Sequence, residues 1–369
     1  MSAGTAVLVN ATGVRSGAEN VLVAVAGELA DSGHEVVLLS PPGPVVDGMP
    51  PGTRHLRIPT LGLEGKGGVA RLVAVARLIV RWVRAGLILR TVTGDRGDGE
   101  GGVVVVNSLF ALPALPFAFP RARASGTTSW LVHDTVVSRR QRVAVRLGAR
   151  RVHRAVAVSE VTAASIRPLV PRVIVRPNGV VIPRGKVVGA SDREPVVGIL
   201  AALTSWKGQD VLLDAVARCQ GMTVEIAGGA LFGEDEYERA LRDRADQEDL
   251  RGRVRFLGHV DRRQVLDRWA IAVSASVLPE AGPLGVLECM AAGLPVVATD
   301  HGGAAEYLRE GIGVLVAPGD PEGLANALSE LIADPARREL MAERGRARAA
   351  QEHDIEMTLP AMAGALTGR

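Results

Sequence analysis

Two glutamates, Glu280 and Glu288, stand with seven residues between them in the run Pro279-Glu280-Ala281-Gly282-Pro283-Leu284-Gly285-Val286-Leu287-Glu288. Glu280 falls in a loop after a strand-like run, and Glu288 falls one to two turns into a helical segment, 284–292, that is otherwise apolar. A carboxylate on an apolar helix face is costly unless it has partners. Paired hydroxyls such as those of a ribose would serve Glu288, and the backbone N–H groups of Leu284 and Gly285, at the helix start, suit a phosphate. A glutamate turned to solvent would give the same pattern.

Three further places carry chemistry. Lys207, in Thr204-Ser205-Trp206-Lys207-Gly208, precedes a helix expected from Gln209, where a cation adds to the pull of the N-terminus on a phosphate; a solvated lysine is the alternative. His133-Asp134 directly follows a strand-like run. There His133 either hydrogen-bonds a sugar hydroxyl and orients an acceptor, or caps the strand. The loop Thr12-Gly13-Val14-Arg15-Ser16-Gly17 has glycines that let the backbone turn and present N–H groups to an anion. It is not Gly-x-Gly-x-x-Gly, and an ordinary strand-to-helix turn explains it equally. The second strand ends in Leu39-Ser40-Pro41 without an acidic residue, which argues against a nicotinamide dinucleotide. Asp95, Asp98 and Glu100 lie in a Gly/Asp-rich stretch where nothing fixes three ligands at the geometry of a divalent cation, so a solvated loop is expected and no metal.

The elements that must hold these residues read as alternating strands and helices. Short continuous apolar runs are the mark of parallel strands buried on both faces. They occur at 6–9, 35–39, 103–106, 129–132, 155–158 and 172–175, then restart after a polar stretch at 196–200, 223–227, 254–257, 271–275, 295–298 and 314–316. Helices are expected at 18–31, 138–149, 209–218, 235–247, 284–292 and 323–332, with two polar helices over 335–368. This is α/β architecture: two doubly wound Rossmann-like domains facing across a cleft, over residues 1–182 and 183–350, with a C-terminal helix in 351–369 packing back on the first.

Composition agrees. A chain of 369 residues exceeds what one core usually fills. A 47% hydrophobic content is that of a folded protein. With 43 Lys and Arg against 40 Asp and Glu, the charge excess of a nucleic-acid binder is missing. Cys219 and Cys289 both fall in segments expected to be buried helix, supporting neither disulfide nor metal. The start of the chain lacks the pattern of a secretory signal, so a cytoplasmic location is expected. The apolar stretch 71–90 is interrupted by Arg77, Arg81 and Arg84 on one helix face and reads as amphipathic, not spanning. Together with the basic run Arg139, Arg140, Arg142, Arg146, Arg150, Arg151 and Arg154 it suggests weak peripheral membrane contact.

The Glu280–Glu288 pair is followed by Met290-Ala291-Ala292-Gly293-Leu294-Pro295, then by Gly302-Gly303 and Glu306. This resembles the donor-site signature of retaining glycosyltransferase family 4, which has the GT-B fold. Shorter matches follow the family order along nearly the whole chain: Ser16-Gly17-Ala18-Glu19, Gly33-His34-Glu35-Val36, His133-Asp134, Val158-Ser159-Glu160, Pro177-Asn178-Gly179, Lys207-Gly208, Ala227-Gly228-Gly229 and Phe256-Leu257-Gly258. The resemblance implies transfer of a hexose-like unit from a nucleoside diphosphate sugar to a small-molecule, saccharide or lipid-linked acceptor, with retention and with no cofactor required. It implies catalytic roles for Glu280, His133 and Lys207, and donor contacts from Ser16, Gly17, Lys207, Gly282, Leu284, Gly285 and Glu288. Arg15, Asn107 and Asp134 are placed as contacts to the acceptor or to a second phosphate. The chain departs from the family at Ala201-Ala202, where Gly-Arg is usual, and at Ala281-Gly282-Pro283, where Pro-Phe-Gly is usual. Arg15, and then Arg262 or Arg263, are the candidates to replace that arginine. A nucleotide-sugar epimerase of the same fold and a non-catalytic partner subunit are the rival readings.

Overall fold

The computed structural model describes residues 4–62, 69–94, 102–120, 128–185, 189–231 and 233–368. It divides into two compact units, Met1–Asn178 with Thr358–Arg369, and Gly179–Met357.

The first unit is built on a parallel sheet of seven strands: β1 (Thr5–Val9), β2 (Glu35–Ser40), β3 (Arg54–Arg57), β4 (Val103–Val106), β5 (Thr128–Val132), β6 (Arg154–Ala157) and β7 (Val173–Val175), in the order β3-β2-β1-β4-β5-β6-β7. β1, β4, β5 and β6 are buried along almost their whole length, as Val- and Ala-rich central strands covered on both faces must be. One face carries the helix Gly17–Asp31 on the amino-terminal side of the chain; the core on the other face joins Val7, Val104 and Trp130 to Leu89, Leu112 and Val145 from three helical segments.

The second unit repeats the scheme with β8 (Val196–Leu200), β9 (Thr223–Ala227), β10 (Val254–Gly258), β11 (Ile271–Ser274), β12 (Val296–Thr299) and β13 (Val314–Val316), all parallel, ordered β10-β9-β8-β11-β12-β13. Trp269 fills the space beside Gly198, where any Cβ would collide with its indole ring.

Two elements carried no expectation, and two expectations need correction. β3 is an extra edge strand, Arg-His-Leu-Arg, with no apolar run to betray it. The stretch from Leu109 to Ala118 forms a 3-10 turn and a short helix despite two prolines. Cys219 lies two residues beyond the helix Gln209–Ala217, although it is buried as expected. The last helix, Ile355–Thr367, is not polar: Met362, Ala363, Ala365 and Leu366 are buried. Asp95, Asp98 and Glu100 lie outside the described residues.

Candidate active site

In the second sheet the winding reverses between β8 and β11, the place where doubly wound sheets bind ligands beyond their strand ends. From β8 the chain passes Ala201 and Ala202 to the 3-10 turn Ser205–Lys207, then through Gly208 into the helix Gln209–Ala217. Gly208 has φ +68°, and a Cβ there would lie 2.1 Å from the Ala275 carbonyl oxygen. Only glycine allows this approach, which brings Lys207 beside the end of β11.

Lys207 Nζ lies 4.3 Å from the centroid of the Trp206 ring and pairs with Glu280 Oε2. The two side chains are only 16% and 12% exposed, so neither charge is left to water. The other oxygen of Glu280 accepts from the Ser276 hydroxyl, and the Ser276 carbonyl accepts from Thr299 Oγ1 at 2.9 Å. The Glu280 carbonyl accepts from Gly303 N–H at 2.7 Å. Gly302, at φ +63°, leaves so little room that a Cβ would meet that carbonyl oxygen at 2.5 Å. The Glu280 loop is thus fastened to the ends of β11 and β12.

The helix Leu284–Ala291 starts at Pro283, whose carbonyl accepts from Leu287 N–H. The N–H groups of Leu284, Gly285 and Val286 precede the first intrahelical bond and lack acceptors within the helix. Gly285 also lets the helix close on β8, since a Cβ would lie 2.6 Å from the Leu200 carbonyl oxygen. One turn on, the Glu288 side chain is 18% exposed and pairs with Arg262, at the start of the helix Arg262–Leu266. The Ala202 carbonyl accepts from Gln209 Nε2 at 2.8 Å.

The first sheet reverses between β1 and β4, and a polar network occupies the two strand ends. Asn107 Nδ2 donates to Asn10 Oδ1 at 3.0 Å, and Asn10 Nδ2 donates to the Thr12 carbonyl at 2.8 Å and to Glu19 Oε1 at 3.3 Å. Glu19 Oε2 accepts from the Ser16 N–H and hydroxyl, the capping box of the helix Gly17–Asp31. Ser16 therefore acts first as a cap. Arg15 turns its Nε to Asn20 Oδ1 at 2.8 Å, with its guanidinium over Gly48.

His133 and Asp134 follow β5. Burial lowers the His133 pKa to about 4, keeping the ring neutral, and its Nε2 is enclosed with no partner. Burial raises Asp134 to about 6; a bond from the Leu109 backbone opposes this and the Glu19 charge adds to it. The buried oxygen of the Asn107 side chain has no donor.

The structure thus groups Lys207, Glu280, Glu288, Gly282, Leu284 and Gly285 in the second unit, and Ser16, Gly17, Asn107, His133 and Asp134 in the first. The Arg263 N–H bonds the Asp261 side chain at 3.1 Å, and among the described residues its guanidinium has no ion-pair partner. Sequence reasoning missed Ser276 and Thr299, whose sole signal is a hydroxyl at a buried strand end. It also missed the pairing of Arg262 with Glu288, and Asn10, a polar residue closing an apolar run.

Residues 185–348 match the family model described as "Glycosyl transferases group 1". The chain is 32% identical over 181 residues to a GDP-mannose-dependent monoacylated alpha-(1-6)-phosphatidylinositol monomannoside mannosyltransferase of Corynebacterium glutamicum, covering 47% of this chain and 47% of that protein. It is 35% identical over 170 residues to the lipopolysaccharide core biosynthesis glycosyltransferase LpsE of Rhizobium meliloti, 45% of this chain and 47% of the relative. The matched stretch thus spans about half the length of these curated relatives. Among solved structures, HepE of Anabaena in complex with UDP and glucose superposes with a TM-score of 0.78 at 24% identity, covering 99% of this chain and 100% of the other. WaaG, a glycosyltransferase involved in lipopolysaccharide biosynthesis, gives 0.70 at 16% identity over 99% and 100%. At such identities the likeness establishes the fold, GT-B.

Proposed function

We propose, from the match of residues 185–348 to the glycosyl transferases group 1, that the chain moves a hexose-like unit from a nucleoside diphosphate sugar to an acceptor hydroxyl with retention at the anomeric carbon. The observation that carries this reading is the pair of ion pairs, Lys207–Glu280 and Arg262–Glu288, beyond the ends of β8 and β11. A nucleoside diphosphate sugar has the complementary parts: phosphates for Lys207, Arg262 and the N–H groups of Leu284 and Gly285, ribose hydroxyls for Glu288, and sugar hydroxyls for Glu280. The names of the relatives, one GDP-mannose-dependent and another in complex with UDP and glucose, point to the same class of donor.

In the reaction the bond between the anomeric carbon and the diphosphate oxygen breaks, and the acceptor oxygen bonds to that carbon. The acceptor proton passes to an oxygen of the departing phosphate. Charge grows on the diphosphate as it leaves, so fixed cations and helix N–H groups aimed at it lower the barrier. Arg262 supplies on the second unit the cation that Ala202 does not. Holding the acceptor in line contributes the rest, a role for the neutral His133 with Asp134 and Asn107.

The test is release of nucleoside diphosphate from a panel of nucleotide sugars, with and without candidate acceptors, by the wild type and by Glu280→Gln. Wild type should release product with one donor class, and Glu280→Gln should melt normally while losing most turnover. Interconversion of sugar isomers without release would replace this reading with an epimerase. Failure of every nucleotide sugar to raise the melting temperature would overturn it, since a ligand at 100 times its Kd adds about 2.7 kcal/mol.

A further inference from the structure

The first unit has a face whose residues have no part in the proposed sugar transfer. The helix Val69–Thr93 carries five arginines and no carboxylate. Leu78, Ala85 and Leu89 bury one stripe of it against the core. At 100° per residue a second apolar stripe lies on the far side, and it faces water: Leu72 and Val80 are 72% and 66% exposed, and Val73, Ile79 and Leu87 about half. Arg77 and Arg84 flank this outer stripe.

The face continues through the neighbouring elements. The stretch from Leu109 to Ala118 packs against both this helix and the helix Arg139–Ala149, and leaves Phe110 and Phe117 more than a third exposed. On the helix Arg139–Ala149, exposed Val143 and Leu147 alternate with exposed Arg139, Arg140, Arg142 and Arg146, again without a carboxylate. None of Arg77, Arg84, Arg139, Arg140, Arg142 or Arg146 is ion-paired among the described residues.

Single exposed leucines are ordinary, but a contiguous apolar surface interleaved with unpaired cations marks an interaction site. A second copy of the same face would set arginine against arginine. Anionic headgroups complement the arginines, and the acyl boundary takes the leucines and valines. Among the described residues no helix is long and apolar enough to cross a membrane, so a lipid contact through this face would be peripheral.

We propose that this surface of the first unit docks on an anionic bilayer, with the outer stripe of Val69–Thr93 entering the headgroup region and the arginines of both helices binding lipid phosphates. The full chain should float with vesicles of phosphatidylcholine plus phosphatidylglycerol, and not with phosphatidylcholine alone, and raised salt should release it. Replacing Arg139, Arg140 and Arg142 together by Gln should weaken binding about a hundredfold, at about fivefold per arginine. Leu72→Ser with Val80→Ser and Leu87→Ser should abolish it. These side chains are exposed, so the melting temperature should stay near wild type, and the readout is independent of any sugar transfer. Equal binding to both vesicles, or wild-type binding by the two variants, would overturn the proposal. So would a wild-type dimer that the serine variant dissociates, which would make the face a self-interface.

Discussion

Glu288 stands on an apolar helix with less than a fifth of its side chain in water, and Arg262 offsets the cost of its charge. If both grip one nucleotide, their losses overlap. Glu288→Ala should weaken nucleoside diphosphate binding by about 1–3 kcal/mol, Arg262→Ala should also weaken it, and the double variant should be scarcely worse than the poorer single one. Titration calorimetry would measure this, and fully additive losses would mean separate roles. His133 and Asp134 give a second prediction at this scale. The folded histidine takes its proton near pH 4 against an ordinary 6.5, so its contribution to stability is lost as pH falls through that window. The folded aspartic acid keeps its proton to about 6 against an ordinary 3.8, so its contribution is lost as pH rises through that window. Between about 4 and 6 folded and unfolded chains each hold one proton on this pair, and the slopes cancel. Asp134→Asn should make the protein less stable toward acid, by up to about 1.4 kcal/mol per pH unit, and His133→Gln should reverse the slope. Urea unfolding at several pH values would read both, and identical slopes would refute it. The types and spacing of Glu280, Glu288 and Lys207 made them visible in the sequence because charges in apolar runs need a reason. Ser276 and Thr299 were invisible, since a hydroxyl after a strand reads like any turn residue. The Arg262–Glu288 pair joins two helices across the fold and leaves no periodic trace.

At the scale of elements, continuous apolar runs betrayed β1, β4, β8 and β12 because a strand covered on both faces must be mostly apolar. The edge strand β3 sets only Leu56 against the core, so its sequence carries no such run. Pro113 and Pro116 hid the helical turns between Leu109 and Ala118. The long helix Val69–Thr93 was legible as an amphipathic helix, but its arginines did not reveal that it has two apolar stripes, one buried and one exposed. Gly302 links an element boundary to the site: it starts the helix Gly302–Leu308 in a left-handed conformation against the Glu280 backbone. Gly302→Ala should cost about 1–2 kcal/mol from backbone strain alone. By pushing on the Glu280 loop it should also lower turnover, by up to about a hundredfold for a displacement near 1 Å. Chemical denaturation and single-turnover rates together would check it. A destabilised variant with unchanged turnover would show that the glycine serves folding only.

At the scale of the molecule, the chain leaves the first unit after Asn178 and returns to it at Thr358. The helix Ile355–Thr367 begins in the second unit, where Ile355 N–H bonds the Val180 carbonyl at 3.0 Å, and ends in the first. There the Ser129 hydroxyl donates to the Leu366 carbonyl at 2.6 Å, and Arg154, nearly buried, reaches the Ala365 carbonyl at 3.3 Å. Met362 and Leu366 are almost fully buried. Cutting the chain after Met357 would return both side chains to water, at about 1.5–3 kcal/mol each. It would also take an acceptor from Ser129 and one from Arg154, at about 1–3 kcal/mol for each group left unsatisfied. Those losses together approach the 5–15 kcal/mol that holds a whole domain. The second unit keeps Lys207, Glu280 and Glu288 and loses nothing from its own sheet. Scanning calorimetry of the truncated chain should therefore resolve a new low-temperature transition, while nucleoside diphosphate still raises the upper one. Leu366→Ala, which deletes one buried side chain and keeps the backbone acceptors, should shift the same transition by a smaller amount, about 2–5 kcal/mol. A truncated chain that melts once, at the wild-type temperature, would mean that the returning segment contributes nothing to the first unit.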